Sequence, residues 1–187
     1  MSTAQELMSK QEFLSEDSVS ALRQLLGKTI HTLFAPNLDA AGGHLAAWTL
    51  SMQLSKGSFM NFSCEWSETP HFLNDSWQIT VAEGHDPLKI QINDTGSLMA
   101  PCTISMYEAK PIKRIDIFAH TNSADDEGPE EIVNYDQAIL FTRDGDTGFC
   151  IGCMLNGPGI ATHLHFSEDS EVIRTMVDGA SIRLTLC

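Results

Sequence analysis

Positive charge is scarce in this 187-residue sequence, which has 11 Lys and Arg against 25 Asp and Glu. The formal net charge at pH 7 is −14. A field of this sign repels phosphate backbones, so the composition argues against nucleic-acid binding. It favours a cationic partner, although an acidic surface also serves solubility alone.

Long apolar runs and export signals are also missing. No apolar stretch approaches the roughly 20 residues of a membrane-spanning helix. The first residues, from Met1 to Glu6, lack the basic patch and apolar run of a signal peptide. Cysteine is sparse and odd in number, with five residues, which is typical of reduced thiols. The sequence therefore predicts a cytoplasmic protein that does not bind membranes.

Recognisable catalytic motifs are absent as well. The sequence contains no Gly-x-Ser-x-Gly elbow, no His-Glu-x-x-His helix and no dinucleotide-binding glycine pattern. Catalytic groups are often scattered along a chain, so this absence lowers the expectation of catalysis without settling it. No cofactor is predicted, and a metal ion remains open.

The first 27 residues predict an N-terminal helical segment. Ser15 suits an N-cap position, and Val19, Leu22 and Leu25 recur at helical spacing. Gly27 stands where a helix C-terminal glycine belongs.

The remainder of the chain predicts strands, in a pattern that occurs twice. The first copy places Phe34 in a strand and Gly57 in a turn, and the second places Phe118 and Gly145 in the same way. These landmarks indicate an internal duplication. Asp-Gly between two alternating segments, as at Gly145, favours a β-hairpin.

The predicted fold class is α+β: an N-terminal helix followed by two similar, mainly antiparallel β-rich halves. The halves comprise residues 28–100 and 108–187, with a junction near Pro101 and Pro111. Whether they share one sheet or form two packed sheets, and one domain or two, stays open at this point.

Cys150 and Cys153 form a Cys-x-x-Cys inside an alternating segment. Because their separation is odd, a strand would place the two side chains on opposite sheet faces. The pattern favours two separate thiols over a zinc or redox site, for which both sulfurs must converge.

An acidic run is the candidate partner-binding site: Asp125, Asp126, Glu127, Glu130 and Glu131. A charge run of this kind is typical of a solvated loop, but it can also dock a basic surface and raise the encounter rate. We therefore expect a non-enzymatic protein that binds a partner, occluding its cationic site. Small acidic proteins that neutralise basic toxins or nucleases offer a physical analogy.

His163 and His165 support an alternative of a different class, a metal-dependent small-molecule binder or enzyme. Two histidines at i and i+2 of a strand share one face and can present two imidazoles to a metal ion. With Gly157 and Asp169 they resemble the first cupin motif, except that Asp replaces the usual Glu and little chain remains for the second motif.

The other interpretation of the two histidines is an exposed strand face opposite Leu164 and Phe166. A third hypothesis is a structural module, in which exposed edge strands would allow a homodimer.

Overall fold

The computed structural model of the protein describes residues 8–41, 44–68, 75–91, 101–124, 131–153 and 164–187. These residues form thirteen strands and two helices. The strands are β1 (Met8–Glu12), β2 (Thr32–Ala35), β3 (Asp39–Ala41), β4 (His44–Ala47), β5 (Thr49–Ser55), β6 (Ser58–Glu68), β7 (Asp75–Gly84), β8 (Cys102–Ser105), β9 (Ile112–Ala124), β10 (Glu131–Arg143), β11 (Gly148–Cys153), β12 (Leu164–Ser167) and β13 (Ser181–Leu186). The helices are α1 (Glu16–Arg23) and α2 (Ser170–Met176).

The α+β class led by an N-terminal helix is wrong, because the described residues are mostly β. The first described element is a strand, β1, and α1 follows it with only eight residues. The pattern from Val19 to Leu25 did predict a helix correctly, and Ser15 caps it by accepting a hydrogen bond from the Ser18 amide at 3.1 Å. The residues of β1 contain nothing that excludes a helix, so the sequence assigns them to the N-terminal helical segment. They form a strand because they pair with β10, more than 100 positions along the chain.

The strands form two sheets. The larger has the order β13-β9-β10-β11-β12-β4-β3, with β1 pairing parallel to β10 beside β11. The smaller has the order β7-β6-β5-β2-β8, and all its pairs are antiparallel. The prediction of mainly antiparallel pairing is therefore confirmed. Of the two arrangements left open by the sequence, the described strands form two sheets.

The two predicted halves do not map cleanly onto the two sheets. β3 and β4 lie between β2 and β5 in the chain, yet they pair in the larger sheet. No strand is described between β9 and β10, where residues 125–130 lie outside the described part, so the described strand order gives no support to an internal repeat. Residue Trp48 separates β4 from β5, so the chain passes from one sheet to the other within one residue.

The hydrophobic core lies between the two sheets. Phe62 of β6 and Phe141 of β10 meet edge to face across it, with ring centroids 6.2 Å apart. Phe141 also stacks on Phe149 of β11 at 4.6 Å. All three side chains are fully buried. Burial of such aromatic side chains is the main source of stability in a sandwich of this kind.

A buried carboxylate ties the N-terminal segment to the larger sheet. Asp136 of β10 accepts hydrogen bonds from the Leu14 amide at 2.8 Å and from both Nε and Nη2 of Arg183 at 2.7 and 2.6 Å. The Arg183 guanidinium lies 4.5 Å from the centre of the Phe13 ring. These contacts hold the link between β1 and α1 against β10 and β13.

Within the described part of the chain, neither helix has the length and apolar character needed to cross a lipid bilayer.

Candidate functional site

The acidic run connects the two longest strands of the molecule. β9 and β10 pair along their whole length, from Ile112 opposite Arg143 to Ala124 opposite Glu131. Asp125, Asp126, Glu127 and Glu130 lie outside the described residues, while the backbone of Glu131 begins β10. The five acidic residues therefore belong to the link that joins the far ends of one hairpin, which we call the acidic end.

The acidic end extends past the neighbouring edge strand. β13 pairs with β9 only as far as Ala119. The five residues of β9 from His120 to Ala124 continue beyond that point, a distance of roughly 17 Å at about 3.4 Å per residue. On the other side, β1 pairs with β10 from Glu131 to Tyr135 and supports it.

Positive charge is nearly absent around the acidic end. Among the described residues of β1, of β9 beyond Ala119 and of β10 up to Tyr135, Lys10 is the one Lys or Arg. Its ammonium group already forms an ion pair with Glu12. These three strand segments therefore contribute little positive charge next to the acidic run.

Cross-strand contacts stabilise this part of the hairpin. Thr121 donates a hydrogen bond to the Asn134 side-chain oxygen at 2.7 Å. The rings of His120 and Tyr135 meet edge to face at 5.8 Å. Burial raises the pKa of the Tyr135 phenol. Pairs of this kind typically add about 0.2–1 kcal/mol each, so they favour a paired hairpin up to its end.

The histidine pair is divided by the limit of the described residues. His163 lies outside them, and His165 lies in β12 opposite Gly152 and Ala46. Leu164 and Phe166 face the core as predicted, but the interpretation of an exposed face is wrong for His165, which is fully buried.

Metal-ligating side chains do not converge in the part of the chain that the structure describes: no group of three His, Cys, Asp or Glu could hold an ion there. His165 therefore meets no such group among the described residues, and the metal hypothesis depends on His163. It stays a prediction.

The Cys-x-x-Cys pattern places its two sulfurs apart, as expected. Cys153 faces the core between the sheets, while Cys150 faces the outer side of the larger sheet, where it packs with Ala138 and Met176. However, the prediction that all five cysteines are free is wrong, because Cys153 forms a disulfide with Cys64 of β6. The partners are 89 residues apart, and no local spacing signals the bond.

A cavity of about 790 Å³ lies at the opposite end of the β9–β10 hairpin. We call it the Arg143 groove. It lies among the turn after β10, the segment before β9 and the beginning of α2. Its lining includes Tyr107, Glu108, Arg143, Thr147, Glu168 and Ile173.

Arg143 is the central charged group of this groove, and its side chain is 4% exposed. One guanidinium nitrogen donates to the Glu108 carbonyl at 2.5 Å, and the other forms an ion pair with Glu168 at 2.9 Å. The guanidinium also lies 5.6 Å from the centre of the Phe149 ring. The second carboxylate oxygen of Glu168 accepts a hydrogen bond from the Tyr107 amide at 3.0 Å.

These contacts join three segments that are far apart in sequence, because Arg143 ends β10, Glu168 follows β12 and Tyr107 precedes β9. Sequence reasoning missed them. The available signal was an arginine at the end of the apolar segment from Ile139 to Phe141, where a buried cation needs a partner.

Two exposed charges at the mouth of the groove pair with each other. The Lys110 ammonium group donates to the Glu108 carboxylate at 2.7 Å. That hydrogen bond and the charge of Lys110 lower the pKa of Glu108. Arg143, Glu168, Lys110 and Glu108 thus all have partners within the protein.

Neither a family model, nor a curated protein, nor a solved structure matches the chain.

Proposed function

We propose that this chain is a non-enzymatic binding protein whose acidic end receives a cationic site on another protein. The observation that carries the proposal is the concentration of five carboxylates in the link of the longest hairpin of a chain with a net charge of −14. Small acidic proteins that neutralise basic partners remain an analogy of chemistry alone.

Two features support the acidic end as the binding site. The pairing of β9 with β10 is continuous to Ala124 and Glu131, so the acidic link is attached to a regular scaffold. In addition, Lys10 is the one cation of the described strands around it and is already paired. An unbalanced group of charges attracts an oppositely charged partner over about 8–10 Å at physiological ionic strength.

The proposed location is the cytoplasm, where the acidic end would meet its partner in solution. A homodimer formed along open sheet edges is compatible with the proposal, since the edge strand β13 pairs with β9 only as far as Ala119 and ends five residues before the link.

The test begins with a variant of the acidic end in which Asp125, Asp126, Glu127, Glu130 and Glu131 are all replaced by Lys. The matched control replaces five exposed acids elsewhere by Lys: Asp39, Glu65, Asp86, Asp144 and Asp178. Both variants gain the same charge, so any difference between them reports the position of the charge.

The first probe is a synthetic deca-lysine peptide, and the second is any protein that wild type and control retain from a lysate of the source cells. Association rates are measured by stopped flow at about 20 mM and about 150 mM ionic strength. We expect the acidic-end variant to associate about 10–100-fold more slowly at low salt, and the control less than about threefold. Equal losses in the two variants would show that only net charge matters, and unchanged rates with a captured partner would contradict the proposal.

A further inference from the structure

Among the described residues, the Cys64–Cys153 bridge is the one covalent link that side chains form between the two sheets. Cys64 lies in β6 of the smaller sheet, two residues after Phe62, and Cys153 lies in β11 of the larger sheet. The bond closes a segment of 89 residues, and its Cα atoms are 6.7 Å apart. A cross-link over so long a segment restricts the unfolded chain strongly and so stabilises the folded state.

The two bridged cysteines differ in exposure. Cys153 is 2% exposed and belongs to the core, whereas Cys64 is half-buried and packs at its margin. A reductant in solution therefore reaches the bridge from the side of Cys64.

Cys150, three residues before Cys153, is placed where its thiol does not exchange with the Cys64–Cys153 bridge. It lies on the outer face of the larger sheet beneath α2, with Ala138 and Met176 around it. Burial raises the pKa of its thiol to about 12. Because only the thiolate attacks a disulfide, Cys150 is inert toward the neighbouring bridge at neutral pH.

We propose that the Cys64–Cys153 bridge is a redox-sensitive lock between the two sheets. Cellular thiol reductants would open it and an oxidising environment would close it, so the resistance of the sandwich to unfolding follows the redox poise. In a reducing cytoplasm the lock would be open at rest, and oxidation would strengthen the protein.

The chemistry is a two-electron exchange with a dithiol. One thiolate of the dithiol attacks the Cys64 sulfur, and the bond to Cys153 breaks, so that Cys153 leaves as a thiolate and takes up a proton. The second thiol of the dithiol then displaces Cys64, which also ends as a thiol. The dithiol is thereby oxidised to its own disulfide, and both cysteines of the protein are reduced.

The first measurement maps the free thiols of the folded wild-type protein, purified without reductant and then exposed to a mild oxidant, oxidised glutathione. Free thiols are alkylated, and the chain is digested and analysed by mass spectrometry. We expect a linked pair of peptides that contain Cys64 and Cys153, with the Cys150 thiol free. Alkylation of both Cys64 and Cys153 in the oxidised sample would overturn the proposal.

The second measurement compares melting temperatures with and without dithiothreitol. For a chain of this size the bridge should raise Tm by roughly 4–16 °C, so reduction should lower it by that amount. The Cys64→Ser/Cys153→Ser variant should show no response to dithiothreitol, while Cys150→Ala should keep the wild-type response. If the double variant fails to fold, the response of the wild type still decides, because an unchanged Tm on verified reduction contradicts the lock.

Discussion

The two ends of the β9–β10 hairpin differ in the balance of positive and negative side chains. At the end that contains Arg143, the guanidinium is buried and joined to Glu168, and Lys110 is hydrogen-bonded to Glu108. At the acidic end, five carboxylates fall within seven residues, and the described strands around them supply one lysine. One end of the hairpin therefore holds ion pairs, whereas the sequence at the other end concentrates charge of one sign.

The comparison teaches that a cavity with many charged groups need not be a site of function. Where each charge has a partner in the same molecule, removing one leaves the other buried and uncompensated, so the pair maintains the fold. Where charges of one sign accumulate near the surface, removing them costs little stability, and their field is available to a partner. Substitutions at the two ends should therefore differ in their effect on the free energy of unfolding.

The largest effect is expected at Arg143. Arg143→Met should lower the free energy of unfolding by about 3 kcal/mol, because the half-buried Glu168 carboxylate would lose its charged partner and the Glu108 carbonyl would lose a charged donor. Urea denaturation measures the change. Arg174→Met on the exposed face of α2 is the control, with an expected loss of about 0.5 kcal/mol or less. Similar losses in the two variants would show that the Arg143 groove is not held by its ion pair.

A smaller loss is expected at Asp136, in the middle of the hairpin. Asp136→Asn should cost about 2–3 kcal/mol, because Arg183 loses its charged acceptor and the Leu14 amide loses part of its hydrogen bond. The loss is smaller than at Arg143 because the new amide keeps an oxygen that accepts hydrogen bonds, whereas Arg143→Met removes every donor. The Arg183 side chain, 27% exposed, can also turn toward water. Asp178→Asn, at an exposed position, should leave the midpoint of urea unfolding unchanged.

Neutralising the acidic end should change stability very little. Replacing Asp125, Asp126, Glu127, Glu130 and Glu131 by their amides should alter the free energy of unfolding by about 0.5 kcal/mol or less. Relief of repulsion among like charges would make the change favourable. A loss of several kcal/mol in the same urea experiment would mean that these residues support the fold, and the contrast between the two ends would disappear.

The smallest effect concerns the pH response of Glu108. Lys110 lowers its pKa below the ordinary value of 4.5, so its contribution to stability is present above the unfolded-state pKa. That contribution is lost as the pH falls through the lower, folded-state pKa. Lys110→Met should therefore move the Glu108 pKa upward in an NMR titration, while the exposed Lys113→Met should leave it nearly unchanged. A Glu108 pKa that does not respond to Lys110→Met would contradict the assigned ion pair.

Local patterns predicted much of the β structure. Phe34 and Phe118 both lie in strands, β2 and β9, as predicted. The predicted glycine turns are also confirmed: Gly57 and Gly145 both have positive φ, at 74° and 81°. Such a backbone conformation suits glycine because it has no Cβ, which is why these positions are readable from sequence.

Long-range partners account for most of what sequence reasoning missed. β1 was taken for helix because its pairing with β10 carries no local signal. The same holds for the bond between Cys64 and Cys153 and for the ion pair between Arg143 and Glu168, whose members come from distant segments. At the candidate site, composition identified the acidic run directly, but only strand pairing places it at the end of the longest hairpin.

The most direct test of the account measures stability and binding together in two variants, Arg143→Met and the five-lysine variant of the acidic end. Urea unfolding is followed at low temperature, and the association rate with deca-lysine is measured under conditions in which both variants are folded. The account predicts a crossed result: Arg143→Met loses stability but keeps the wild-type association rate, whereas the acidic-end variant keeps its stability and associates about 10–100-fold more slowly. If both variants lost the same property, the two ends would not have separate roles, and the central claim would be wrong.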